Sequence, residues 1–269
     1  MATEQTVLRP PRPVQRGLRR RLVVLGSLAG AGAIYWHAWN NTGASISALI
    51  TGYHGMVDIL RRSVPPSLHV LRPAMSASIV TLETALLGTT AALLFSLVLT
   101  PFAARNIAPS KIVYEVARVF IAITRAVPDL IWALLFVTAV GLGPFAGVLA
   151  LAVHSIGTLA KLFSETIEDM EMGPVDALRV SGASRLQVYL HGVLPGVAPT
   201  FVSLGLYRFD VNVRSSLVLG FVGAGGIGFL IDNSMQLFQY REVFTELACV
   251  LAMVLAVERL STLLRARIV

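Results

Sequence analysis

Four polar residues, Arg208, Asp210, Asn212 and Arg214, recur at every second position of an otherwise apolar stretch late in the chain. Arginine presents a planar fork of donors that meets the oxygens of a phosphate-like group in pairs. Asp210 precedes Arg214 by four residues, the order and spacing of an intrahelical ion pair. Such a pair leaves Arg208 as the freer cation, with Asn212 one turn away on its face. The chemistry this spacing offers is the handling of an oxyanion inside apolar surroundings, on a lining of net positive charge. A second reading stays open beside it: Glu83, in another apolar run, neutralises Arg208 and the two lock a pair of helices together.

The elements that must position these residues follow from composition. Of 269 residues, 55% are hydrophobic and 14% charged, and the mean hydropathy is +0.72. An ordinary soluble domain carries about 25% charged residues. The apolar residues fall into runs near the roughly 20 needed to cross a bilayer. Spans are expected at about 22–39, 77–100, 128–142, 145–163, 195–221 and 243–264, the third of them short. The fold class is therefore all-α and integral to the membrane, with about six transmembrane helices. The apolar segment 112–124 is broken by Arg118, Arg125 and Pro128 and is expected to be an interfacial or scaffold helix leading into the third span. A short surface helix is expected within the loop 40–76.

At mid-span each charged residue costs roughly 2.5 to 3.5 kcal/mol on insertion scales, so Arg208, Asp210 and Arg214 should face an internal cavity. The charge distribution also orients the chain. Arg9, Arg12, Arg16, Arg19, Arg20 and Arg21 crowd the first 21 residues, and Arg105, Lys111, Arg179, Arg185, Arg265 and Arg267 follow spans two, four and six. By the positive-inside rule all of these, and both termini, are cytoplasmic. Arg61, Arg62 and Arg72 are the exceptions. The organisation expected is a basic cytoplasmic tail over 1–21, a first transmembrane helix and outer loop over 22–76, a transmembrane domain over 77–264 and a short cytoplasmic tail over 265–269. The first run reads as an uncleaved anchor because its apolar character continues past Ala29, Gly30 and Ala31. A cleavable signal is the competing reading.

Between spans four and five lies a polar segment, 165–195, longer than a turn between helices needs. Pro174 to Arg179 can form one short helix, Gly182 permits a turn that a side chain would obstruct, and a second helix can follow as far as Pro195. Asp176, Ala177 and Leu178 precede Gly182 and Ala183, and Leu194 and Pro195 close the segment. Six positions separate Asp176 from Gly182 and thirteen separate Gly182 from Pro195. This spacing resembles the EAA motif of bacterial ABC importer permeases. Asp176 stands for the usual glutamate, and Gly192 stands where isoleucine is common. The resemblance implies that the first short helix is a coupling helix that docks into an ATPase.

Further stretches resemble the phosphonate importer permeases, relatives of the methionine permeases. They are the runs 125–134, 141–147, 154–157, 161–165 and above all 206–216, which continues to Gly228. The resemblance covers about 78–264. It implies a multi-pass subunit of the bacterial inner membrane, present in two copies with two ABC ATPase subunits and an extracytoplasmic binding protein, carrying phosphonate-type anions, among them phosphite or phosphate. A permease for methionine or another small solute is the alternative within the class.

No G-x-x-x-x-G-K-[ST] run occurs in the chain, so ATP and Mg are expected on the partner ATPase and no cofactor on this chain. Gly223, Gly225 and Gly228 spell G-x-G-x-x-G, but a span precedes them in place of a strand, which excludes a dinucleotide site. With Gly226 they are expected to form a tight turn at the outer mouth. His37, His54, His69, His154 and His191 lack metal-ligand spacing, and His154 is expected to be a satisfied core residue. Lys161 and Glu165 read as gate or packing residues. Cys249 stands alone in an apolar run. The formal charge of +7 is a topology signal at the arginine-rich start and not a nucleic-acid surface. A rival from another class, a membrane-embedded phosphate-handling enzyme, would have Ser215, Ser216 and Asp210 to work with, and it leaves 165–195 without a role.

Overall fold

The computed structural model describes residues 14–43 and 45–268, and divides at Leu60/Arg61 into two compact units. Every described residue in regular structure is helical. Arg9, Arg12 and Val269, from the basic start and the C-terminal tail, lie outside the described residues.

The first unit consists of α1 (Val14–Asn41) and most of α2 (Ile46–Ser63), the helix expected in the loop 40–76. Arg20–Asn41 is long and apolar enough to cross a membrane. Tyr35, Trp36 and Trp39 are exposed near its far end, where amphipathic rings suit the boundary between lipid and water.

The second unit is a bundle built on α3 (Leu71–Ala103) and α6 (Pro144–Asp169). Small residues on one face of α3, among them Ala74, Ser78, Ala85, Gly88, Ala92 and Ser96, are buried. With lipid as the surrounding solvent, close approach of backbones takes over much of the role that hydrophobic exclusion has in water. At Gly88 an added Cβ would lie 2.8 Å from Leu151 Cβ of α6. Pro144 opens α6 at a position where its missing N–H costs nothing.

Between them run α4 (Lys111–Ala126), capped by the Ser110 hydroxyl accepting from Val113 N, and α5 (Asp129–Val140). The two meet at an 87° bend. Pro128 supplies no N–H and holds Val127 extended, with φ −83° and ψ 121°. The third span expected over 128–142 is therefore corrected. Its helix has 12 residues, about 18 Å at 1.5 Å per residue, too short to cross alone. Among the described residues five helices are long and apolar enough to span, and the bent α4–α5 pair makes a sixth if it is taken as one.

After α6 come α7 (Gly173–Val180), the single turn α8 (Arg185–Gln187) and a π-helical stretch Val188–Val193 that runs into α9 (Leu194–Gly220). The second correction lies here, because Pro195 does not end a helix. In an α-helix its ring would press on the carbonyl of His191 and leave that carbonyl without a donor. The wider π turns just before it accommodate the ring, so Arg185–Gly220 forms one continuous apolar candidate span. The chain then turns through Gly223–Gly225 into α10 (Gly226–Gln236), and α11 (Tyr240–Ile268) closes the bundle.

Candidate functional site

The polar cluster on α9 is assembled by three helices. Arg208 and Asn212 are one turn apart, and both reach Ser155 of α6. The Arg208 Nε donates to Ser155 Oγ at 2.9 Å, and Ser155 Oγ donates to Asn212 Oδ1 at 3.1 Å. Asn212 Nδ2 donates to Thr89 Oγ1 of α3 at 2.8 Å, and Thr89 Oγ1 donates onward to Ala85 O at 2.7 Å. Asn212 is fully buried, whereas Arg208 retains 7% of its surface. Serine, threonine and asparagine on facing helices thus satisfy one another in the buried interior. Asn212 is held at both ends of its amide, and Arg208 is held through its Nε.

Glu83 is exposed on α3 and forms no ion pair with Arg208, so the helix-locking pair weighed between them does not exist in the structure. Arg208 forms no ion pair with any carboxylate among the described residues; Asp129, at the first turn of α5, is near enough to favour its charge without touching it. Asp129 Oδ1 accepts from Leu130 N at 2.9 Å. His154, expected as a satisfied core residue, does have a partner: its Nδ1 donates to Val127 O at 3.1 Å, which ties α6 to the α4–α5 bend beside Arg208. At Gly157, one turn on, α6 lies so close to the bend that a Cβ would collide with Thr124.

Arg214 donates to Asp210 Oδ2 at 2.9 Å, the i,i+4 pair expected from spacing. It also approaches Glu258 Oε2 of α11 at 3.7 Å, and Asp210 Oδ1 is buried without a partner. One cation is therefore shared by two carboxylates, so this part of the cluster is not net positive. Arg208 alone carries the cationic character. Glu258 was missed in the sequence reading, although a carboxylate in the apolar run 243–264 is itself a signal. Glu246 is a second such residue, buried and bonded through Oε1 to Ser234 of α10 at 2.9 Å.

At one end of the bundle the glycine turn is present. Gly223, Gly225 and Gly226 have φ of +88°, +74° and +72°, a region that side chains disfavour. Gly143 N donates to Gly223 O at 2.9 Å, and Ile227 N donates to Thr81 Oγ1 at 2.9 Å. Gly228 abuts α9, where a Cβ would strike the Leu217 carbonyl oxygen.

At the opposite end of α6, Pro174 starts α7 and Gly182, at φ +84°, ends its turn. Ala183 N returns to Leu178 O at 3.1 Å, and Ser184 forms a capping box with Gln187. Val175 is buried, Leu178 packs inward, and Pro174, Asp176, Ala177 and Val180 are exposed. Leu194 is half-buried against the same apolar cluster and Pro195 follows at the start of α9. Asp176 accepts from Arg179 at 3.1 Å, and Arg179 also donates to Asn106 O at 3.1 Å. Glu168 at the end of α6 accepts from Arg105 N and from Arg118 of α4, each at 2.7 Å. Short polar links thus join α7 to the segment after α3, and that segment to α4 and α6. Lys161 and Glu165 pair at 3.4 Å nearby. No group of three or more metal-ligating side chains occurs among the described residues.

Comparison with known proteins accords with this arrangement. The phosphite transport system permease protein PtxC of Stutzerimonas stutzeri is 43% identical over 219 residues, which cover 81% of this chain and 80% of that one. The putative phosphite transport system permease protein HtxC of the same organism is 37% identical over 259 residues, covering 94% of this chain and 89% of that one. A chain of the MetNI methionine ABC transporter, solved in inward-facing conformations, shares the fold at a TM-score of 0.60 and 19% identity, covering 74% of this chain and 96% of that one. Residues 96–269 match the binding-protein-dependent transport system inner membrane component family, and the chain belongs to it.

Proposed function

We propose that the chain conducts phosphonate-type oxyanions, phosphite and phosphate included, through the inner membrane as one of two identical permease subunits. Two ATPase subunits hold ATP and Mg and drive the cycle, and an extracytoplasmic protein delivers the anion. Both termini and α7 face the cytoplasm, and the glycine turn shapes the outer mouth. In this reading 77–264 is the transport domain. Pro174, Asp176, Ala177, Leu178, Gly182, Ala183, Leu194 and Pro195 form the ATPase-coupling segment.

The observation that carries this reading is Arg208. A guanidinium at mid-helix, nine-tenths buried, has its Nε bonded to Ser155 and only the more distant Asp129 for charge. Such a group attracts an anion across a low-dielectric region. Its fork stays open to two oxygens of a tetrahedral oxyanion, and Asp129 competes for it when the anion has left. That competition makes Arg208 a relay that releases its ligand, as conduction requires. Asn212 positions Arg208, while Asp210, Arg214 and Glu83 border the pathway. The names of the phosphite permease relatives support the substrate class.

The test is uptake by proteoliposomes holding the permease, its ATPase and its binding protein. ATP-dependent accumulation of labelled phosphite, phosphate or an alkylphosphonate is expected, with none for methionine. Methionine uptake without anion uptake would refute the assignment.

A further inference from the structure

A groove of about 810 Å³ runs between the second half of α3 and the segment that follows α7. One wall is Leu97, Val98 and Phe102 of α3, and the other is Leu186, Leu190 and Leu194. Its charged lining residues are Arg179 and Arg185, and Asn106 and Tyr189 add polar groups. From this amphipathic lining we propose that the groove is a binding site for an anionic phospholipid, with acyl chain along α3 and phosphate at Arg185.

Two observations choose that occupant. The apolar wall belongs to Leu68–Ala103, which is long and apolar enough to span the bilayer. Val98, Phe102, Leu186 and Leu190 along it are exposed, and an acyl chain is the apolar partner that a bilayer supplies to such a surface. The two cations of the lining are unlike each other. Arg179 is committed to Asp176 and to Asn106 O, but Arg185 is exposed and has no carboxylate partner among the described residues. A phosphodiester supplies the missing countercharge through paired hydrogen bonds.

The site joins parts that must move together. Tyr189 Oη donates to Leu97 O at 3.2 Å across the groove floor, and Arg179 links α7 to the loop after α3. A lipid wedged there holds α7 in register on α3, so its presence should raise the coupling of ATP hydrolysis to transport. That consequence rests on α7 being the ATPase-docking helix. Retention of the lipid does not.

The whole complex of permease, ATPase and binding protein is reconstituted in nanodiscs of phosphatidylcholine with or without phosphatidylglycerol. Bound lipid is counted by native mass spectrometry, and coupled ATPase activity is measured in parallel. The wild type should retain phosphatidylglycerol and gain several-fold in coupled activity. Arg185→Gln should lose both while keeping its activity in phosphatidylcholine, and Leu190→Trp, which fills the trough, should behave alike. Arg265→Gln, at the far end of α11, should change neither. Equal retention by wild type and Arg185→Gln would overturn the site. An equal loss in Arg265→Gln would reduce the effect to general surface charge and overturn it too. Retention without a gain in coupling would refute the role assigned to α7 and leave the lipid site standing.

Discussion

Leu178 of α7 occupies the space that a side chain at Gly192 would take: a Cβ on Gly192 would come within 2.9 Å of Leu178 Cδ1 and 3.6 Å of Val175 Cα. The glycine that departs from the resembled motif is thus the contact surface on which α7 rests. Gly192→Ile should push α7 outward at a cost of about 1–3 kcal/mol, the usual range for overpacking. Coupled ATPase activity should fall several-fold, with expression in the membrane unchanged. Adding Leu178→Ala should recover much of the loss, because the two changes exchange volume across one contact. If the double variant is no better than Gly192→Ile, the packing relationship does not govern coupling.

Gly182 tests the same end of the molecule through its backbone. Its φ of +84° costs a residue with a Cβ about 1–2 kcal/mol, more if it is β-branched. Nothing lies within 4 Å of a Cβ built there, so the effect of Gly182→Val is purely conformational. Transport should fall while ATP hydrolysis persists, and Gly182→Asn, which tolerates this region, should retain most transport. Transport assays on the three proteins side by side decide it.

Arg214 is an architectural cation. Removing it leaves Asp210, whose Oδ1 already lacks a partner, as a buried unpaired carboxylate. Loss of one partner from a fully buried pair costs about 3–5 kcal/mol. Arg214 is 51% exposed, so about 1–3 kcal/mol is the expected scale after solvent screening. Arg214→Ala should lower the yield of folded protein and its thermal midpoint in detergent. Asp210→Asn combined with Arg214→Gln should restore both. A stable Arg214→Ala protein would show that Asp210 finds another partner.

How far the sequence reached depended on the range of the interaction. The long spans, the Asp210–Arg214 pair, the glycine turn and the Gly182 turn are local. Apolar length, i,i+4 spacing and positive φ at glycine write them directly into neighbouring residues. The partners of Arg208 and Asn212 are different. Thr89 is 123 positions from Asn212 and Ser155 is 53 from Arg208, and no periodicity links them. Glu83 lies in a span and so offers itself as the countercharge, yet it is exposed and pairs with no arginine among the described residues. The continuation of the helical run across Pro195 into α9 is not written locally either, because proline ordinarily ends a helix and the π-helical turns before it accommodate the ring. At the α4–α5 junction Pro128 showed where the break falls but not that it bends by 87°.

Conduction by the chain rests on Arg208. Arg208→Ala is compared with wild type in proteoliposomes holding ATPase and binding protein, with initial uptake of labelled phosphite as the readout. Assembly is checked by co-purification, and docking by retention of the binding protein. Uptake should fall to background while both checks stay normal, and Arg208→Lys, a cation without the planar fork, should recover only a small part. Wild-type uptake in Arg208→Ala would contradict the claim and leave Arg208 as a packing residue.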